Sequence, residues 1–336
     1  MKTLKRIAAT VAALALPLTF AACGATNTAP ESPGVTVPKT SFTIGIATLL
    51  DHPSLSRIRE GFVAYLAELD VSVTYVDENA QGDMSNVPLV ASQLHEDADL
   101  DLIVAITTPV AQAIANIEKD RPVLYSGITD PVDAGLMPTI DGVSGTNVTG
   151  ASDLNPNAKP VDLIKTLLPE VSTIGVLYSA AEPNSAVQVR AFKAEAAALG
   201  ITIVESAITA GSEIPIGVAA LSDVDAILVP TDSTVVGGIA AVIAYGQQQQ
   251  IPVFTVDADS LEKGSIATRG LSYYDMGRDT AAMAYRILVE GVAPGTIPGL
   301  VTQETQLMVN PDAAASMGLI IPQAILDQAV IVQTTA

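Results

Sequence analysis

From Phe42 onward, short apolar runs of strand length alternate with longer runs whose apolar residues recur at helical spacing. The pattern predicts a strand at Phe42–Thr48, a helix at Pro53–Leu69, a strand at Val71–Val76, a helix at Val87–Asp97 and a strand at Leu102–Ile106. It continues with a helix at Pro109–Lys119, a strand at Pro122–Ser126 and a strand around Val143–Thr146. A helix at Ala158–Leu168 opens a second series, with strands at Thr173–Tyr178, Thr202–Glu205, Ala226–Val229 and Pro252–Val256. Helices at Ser185–Leu199, Ile214–Leu221 and Val235–Gln248 separate them. Repeated strand-helix units with short loops imply parallel strands and right-handed crossovers, so the expected fold is α/β, with two Rossmann-like parallel-sheet lobes. Two such lobes in one chain enclose a cleft.

The remainder is less regular. Tyr274–Glu290 has helical spacing, with Met276, Thr280, Met283, Ala284 and Ile287 on one face and Gly291 as a stop. A strand-like Thr305–Asn310, a short helix from Pro311 and a last stretch from Pro322 follow a Pro/Gly-rich loop. This segment is expected to return to the first lobe and cross back, giving a hinge of several crossings. The expected organisation is 42–154 plus about 274–304 for lobe 1, and 155–273 plus about 305–336 for lobe 2.

Four apolar strands run into polar loops of similar design. Leu102–Ile106 leads into Thr107-Thr108-Pro109, a good cap and first helical residue. The others are YSGITDP at Tyr125–Pro131, LVPTDS at Leu228–Ser233, and Val253–Asp259, which contains FTVDAD. In open α/β sheets, ligands bind in the crevice beyond the carboxyl ends of the strands, and a helix N-terminus there favours an anionic group. The four loops are expected to converge on one site.

Ahead of the first strand, Met1–Ala22 has the form of an export signal: Lys2, Lys5 and Arg6, then an apolar run from Ile7 to Leu18, too short to span a bilayer. Phe20-Ala21-Ala22-Cys23 resembles a lipobox with Phe in place of the usual Leu, which makes Cys23 the expected lipidation site and anchors the protein to the membrane. The alternative is a secretory signal cut near Ala22 with an incidental cysteine. Residues 23–41, rich in Thr, Pro, Ser and Gly, are expected to form a flexible tether. Cys23 is the single cysteine, so no disulfide or thiol chemistry serves the folded part. Loss of the signal takes three positive and no negative charges from a net −20, leaving −23. That charge argues against nucleic-acid binding and against electrostatic docking on anionic lipid.

Eight stretches together resemble one known family. They are IGIATLLDHPSLSRIREGF at Ile44–Phe62, ENAQGDMSN at Glu78–Asn86, DLIVAITTPVAQAIAN at Asp101–Asn116 and PVLYSGITDPVDAGL at Pro122–Leu136. Further on come NVTGASDL at Asn147–Leu154, IGVLYSAAEPNSAVQV at Ile174–Val189, VDAILVPTDSTV at Val224–Val235 and YYDMGRDTAAMA at Tyr273–Ala284. From Thr43 to its end the chain resembles the ABC transporter substrate-binding proteins associated with tryptophan and tyrosine uptake, which have the type I periplasmic-binding-protein fold. The resemblance implies an extracytoplasmic, lipid-anchored receptor, monomeric and without cofactor or metal. It would close on a small ligand, an aromatic amino acid (tryptophan, tyrosine or phenylalanine), and deliver it to an ABC permease with its ATPase.

A free amino acid asks for donors to its carboxylate, acceptors for its ammonium and an apolar slot for its side chain. For the carboxylate the candidates are Thr107 and Thr108 from one lobe and Asn184 and Ser185 from the other, all near predicted helix starts; each has the alternative role of a plain helix cap. For the ammonium they are Asp130, Asp232, beside Thr231, and Asp257, of which Asp130 and Asp232 also suit turn capping. For the slot they are Leu50, His52, Tyr125 and Tyr274. Two histidines, no GxSxG elbow, no Gly-rich phosphate loop and no His/Cys cluster of metal spacing speak against an enzyme, although a hydrolase using carboxylates alone stays open. A DNA-binding regulator of the same fold is disfavoured by the charge and by the lack of a helix-turn-helix. A sensory lipoprotein for another small organic solute stays open as the alternative.

Overall fold

In the computed structural model, residues 41–154, 158–302 and 305–335 are described; the expected signal segment, nearly all of the tether and Cys23 lie outside them. Strands β1 (Ser41–Thr48), β2 (Ser72–Asn79), β3 (Leu102–Ile106), β4 (Val123–Ile128) and β5 (Val148–Ser152) alternate with helices α1 (Pro53–Glu68), α2 (Val87–Glu96) and α3 (Thr108–Ile117) up to β4. All five strands are parallel, in the order β2-β1-β3-β4-β5. Period-2 alternation feeds two cores. Ile44, Ile46, Leu102, Val104 and Ile106 pack on one face of the sheet, while Ala47, Ile103 and Ala105 pack on the other. Coverage on both faces is why β3 reads as an unbroken apolar run.

The second lobe repeats the plan with α4 (Pro160–Leu167), β6 (Thr173–Ser179), α5 (Pro183–Leu199), β7 (Thr202–Ile208), α6 (Ile214–Ala219), β8 (Ala226–Val229), α7 (Ser233–Gly237), α8 (Ile239–Gln249) and β9 (Val253–Thr255). Its sheet is parallel in the order β7-β6-β8-β9. In each sheet the strand order reverses beside the central strand, next to β1 and next to β6, and such switch points open ligand crevices.

The chain then forms β10 (Ala267–Gly270) and crosses to α9 (Tyr273–Leu288), which packs along α1. A short β11 (Leu300–Val301) joins the first sheet beside β5. β12 (Gln306–Val309) pairs antiparallel with β10, and after α10 (Pro311–Ser316) and α11 (Gln323–Leu326) the strand β13 (Val330–Ile331) pairs with β12. The chain thus passes between the two lobes after β5, after β10 and after β11. Among the described residues no helix is long and apolar enough to cross a membrane.

Three elements differ from the sequence pattern. The strand expected at Val143–Thr146 starts instead at Val148, because Gly145 takes φ +68 and the Ser144 and Thr146 side chains bond to nearby backbone, holding a turn. The helix expected at Val235–Gln248 is two helices divided at Gly238, where the Gly237-Gly238 pair lowers helix propensity. β10 had no distinct signal, since its residues ATRG lack a strand pattern of their own.

Candidate functional site

The carboxyl ends of seven strands meet at one small cavity. His52 follows β1, Thr107 and Thr108 follow β3, Gly127 and Thr129 close β4, and Asp153 follows β5; from the second lobe come Asn184 after β6, Thr231, Asp232 and Ser233 after β8, and Asp257 after β9. Ser54 and Leu55 of α1, Val236 of α7 and Tyr273 of α9 complete the wall. The remaining space is about 20 Å³, and side chains bridge it from lobe to lobe: Ser54 Oγ donates to Asp257 Oδ1 at 3.4 Å and Gln188 Nε2 to Thr129 Oγ1 at 3.5 Å.

Four buried polar atoms in this wall have no hydrogen-bond partner: His52 Nδ1, Thr107 Oγ1, Asp153 Oδ1 and Asn184 Oδ1. Each costs about 1–3 kcal/mol if it stays unpaired, and buried polar groups in proteins are ordinarily bonded. Three of the four lie at helix starts, His52 at α1, Thr107 at α3 and Asn184 at α5, where the first turn leaves backbone N–H groups without intrahelical partners. Thr107 also carries strain. Its φ of +83 is an outlier for a β-branched residue, and such strain clusters at ligand clamps.

The acidic residues divide by what their oxygens already do. Asp257, 2% exposed, accepts from Ser260 N at 2.9 Å on Oδ1 and from Ser260 Oγ at 2.8 Å on Oδ2. Burial lifts its pKa to about 6, with the Ser260 bonds pulling the other way. Asp153 accepts from the buried Tyr273 hydroxyl at 3.2 Å on Oδ2, and burial lifts it too to about 6 against the neighbouring Thr129 and Tyr273 hydroxyls. Burial also lowers His52 to about 4, so its ring is neutral at pH 7.

Asp232 lines the cavity, yet its carboxylate is fully engaged by its own lobe: Val235 N at 2.8 Å on Oδ1, and Ser185 Oγ at 2.7 Å and Ser179 N at 2.5 Å on Oδ2. Beside it Glu182 accepts from Ser233 N, Thr234 N and the Thr234 hydroxyl. Burial and the charge of Asp232 push Glu182 upward. The two carboxyls fix the loop after β8, and Gln188 fixes Thr231 through its backbone N–H at 3.0 Å and its hydroxyl at 2.8 Å.

Of the residues singled out in the sequence, the structure thus brings His52, Thr107, Thr108, Asn184, Thr231, Asp232 and Asp257 together. The other five stand elsewhere. Ser185 is buried behind the wall, holding Asp232. Asp130 accepts from Val132 N at 2.9 Å and Asp133 N at 3.0 Å, the turn-capping role its Asp-Pro context allowed. Tyr125 is sealed in the lobe 1 core, because on β4 its side chain points to the α2–α3 face of the sheet. Tyr274 lines another recess of about 870 Å³ on the hinge side and not the cavity, whereas Tyr273 borders both. Leu50 lies against Gly237 across the cleft mouth, outside the wall. Sequence reasoning missed Asp153, Thr129 and Tyr273. The signal for Asp153 was the polar residue after the apolar VTGAS run, which becomes visible once the strand is set at Val148–Ser152.

Residues 43–333 match the family described as ABC transporter substrate binding protein. A tyrosine-binding protein of Clostridioides difficile (strain R20291) is 34% identical over 281 residues, which cover 82% of this chain and 81% of that protein. Among solved structures, an ABC domain from Streptococcus pneumonia in complex with L-Trp is 36% identical with a TM-score of 0.81, over 87% of this chain and 100% of that one. The ligand-free, open structure of a substrate-binding protein with adhesive properties from Clostridium difficile is also 36% identical, over 88% of this chain and 100% of that one, but its TM-score is 0.65. Equal identity with unequal structural similarity puts the arrangement of lobes here nearer to the L-Trp complex than to the open form.

Proposed function

The chain belongs to the family of ABC transporter substrate-binding proteins, and from that premise we propose that its two lobes close on one aromatic amino acid, tryptophan, tyrosine or phenylalanine, and present it to a membrane permease driven by an ATPase. The observation that carries this reading is the set of unpaired buried polar atoms on a single wall shared by both lobes. The Thr107 hydroxyl and the free N–H groups at the start of α3 receive the carboxylate, where the helix dipole favours an anion. Asp153 from lobe 1 and Asp257 from lobe 2 receive the ammonium. A cation held between carboxylates of opposite lobes is bound fully only when the lobes meet, so binding and closure become one event. The role requires no bond to be made or broken, and the protein acts as a monomer. Outside the cytoplasm, Cys23 with its tether would hold it at the membrane by a lipid, after removal of residues 1–22.

The test is thermal unfolding with free amino acids. A ligand at about a hundred times its Kd adds roughly 2.7 kcal/mol, a rise of several degrees in a domain of this size. L-tryptophan, L-tyrosine or L-phenylalanine is expected to produce it, and indole-3-propionate, which lacks the ammonium, is not. No rise with any of the three aromatic amino acids would overturn the reading.

A further inference from the structure

Next to the polar cavity opens a second recess of about 320 Å³, and the two share Thr129, Asp153 and Thr231. The second differs in character. Leu154, Ala158, Pro160, Ala191, Phe192 and Val256 make its exposed wall mainly apolar, although Lys159 and Glu195 also line it. Phe192 is packed into the lobe 2 core, which fixes the ring as a rigid wall, while Ala191 beside it on α5 is exposed. Gln188 holds the shared edge, with its amide engaged by Thr231 and Thr129 and no free donor turned toward the recess.

Stereochemistry connects the two spaces. In an α-amino acid the ammonium, the carboxylate and the side chain all leave one carbon, so fixing two of them sets the direction of the third. With the ammonium at Asp153, on the border between the spaces, and the carboxylate inward at α3, the side chain is directed outward past Thr129 and Thr231; the recess of about 870 Å³ meets the cavity at Tyr273 alone, where the ring packs between them. The inner cavity has room for little beyond the head group, whereas the recess falls within the range of small-molecule pockets. The geometry points to this recess as the slot for the aromatic side chain, with Phe192, Leu154 and Val256 as specificity-determining residues; the assignment rests on the amino-acid reading above. Phe192 offers a fixed ring for offset or edge-to-face contact, and Leu154 and Val256 add apolar surface that an aromatic side chain covers.

The test uses Ala191→Phe, which fills the recess from an exposed helical position and leaves the core intact. The affinity for whichever aromatic amino acid binds the wild type is expected to fall at least tenfold. The chain contains no tryptophan, so with excitation at the red edge, where its tyrosines do not absorb, fluorescence from added L-tryptophan reports the ligand; where L-tryptophan binds, its emission is expected to shift to the blue on entering an apolar wall. Phe192→Leu, which keeps the core apolar, is expected to weaken aromatic amino acids by several-fold more than L-leucine or L-methionine. An aromatic amino acid that binds the wild type and binds Ala191→Phe equally well would overturn the slot while leaving the proposed function standing. Failure of all aromatic amino acids to bind the wild type would overturn the function itself.

Discussion

Asp153 and Asp257 bring the same charge to the cleft but are held differently. Ser260 engages both oxygens of Asp257, whereas Asp153 has one oxygen with no partner at all. The loss of charge should therefore cost more binding at Asp153 and more fold at Asp257. Asp153→Asn is expected to weaken an aromatic amino acid by about 2–4 kcal/mol, roughly thirty- to several-hundred-fold, measured by calorimetric titration. The same variant should barely change the binding of an analogue without the ammonium, a double comparison that separates contact from general damage. Equal losses for both ligands would move Asp153 out of the site. The sequence pattern led to Asp257 because it follows a clean apolar run, and missed Asp153 because local turns at Ser144 and Thr146 moved the strand before it. Aromatic residues misled in the other direction. Tyr125 and Tyr274 suit an aromatic ligand by chemistry alone, but which face of a strand or helix they occupy is decided by packing, to which periodicity around a single residue is blind.

At the scale of elements, the hinge depends on how α9 is fastened after the chain leaves lobe 2. It lies along α1 at very close range: a Cβ on Gly277 would stand 2.0 Å from the Ile58 carbonyl oxygen, and one on Gly61 2.0 Å from the Tyr274 carbonyl oxygen. Backbone faces backbone there, so no side chain can swing aside. Gly277→Val is expected to cost about 3 kcal/mol or more, at the upper end for overpacking, and to lower the midpoint of chemical denaturation accordingly. Gly211→Ala, where the nearest side-chain atom is 3.9 Å away, is expected to stay within about 0.5 kcal/mol of the wild type. A Gly277→Val variant as stable as the wild type would show that the two helices part easily. The helical stripe of α9 was legible, with Met276, Thr280, Met283, Ala284 and Ile287 all buried. Its partner was not, because the stripe says that a face is covered and not by what; the two glycines carry that information only once both helices are in space.

For the whole molecule, closure and protons are linked through the two cleft carboxyls. Burial between the lobes raises Asp153 and Asp257 from the ordinary carboxylate range to about 6. Opening returns water to both carboxyls and so lowers both pKa values, while loss of the Ser54 hydrogen bond at Asp257 works weakly the other way. A group whose pKa is higher in the closed form takes up a proton on closing, so closing is favoured below about pH 6 and opposed above it. The sign is the same for folding: the contribution of these two groups is fully present below their unfolded value near 4 and is lost as pH rises through about 6. Glu118 has the opposite sign: burial would raise it, but hydrogen bonds from the Arg121 and Asp120 backbone and from His95 and Arg121 outweigh that and hold it at about 2, so its contribution is present above about 4.5 and is lost as pH falls toward 2. Small-angle scattering of the free protein is therefore expected to give a smaller radius of gyration at pH 5.5 than at pH 8. A saturating aromatic amino acid should make the protein at pH 8 as compact, because the ammonium replaces the two protons. The falling net charge would also shrink the molecule in acid, and the Asp153→Asn/Asp257→Asn double variant tells the two causes apart: it should keep only the part due to net charge and contract less than the wild type. If the double variant contracts on acidification as much as the wild type, or the wild type does not contract, the coupling of closure to these carboxyls is refuted.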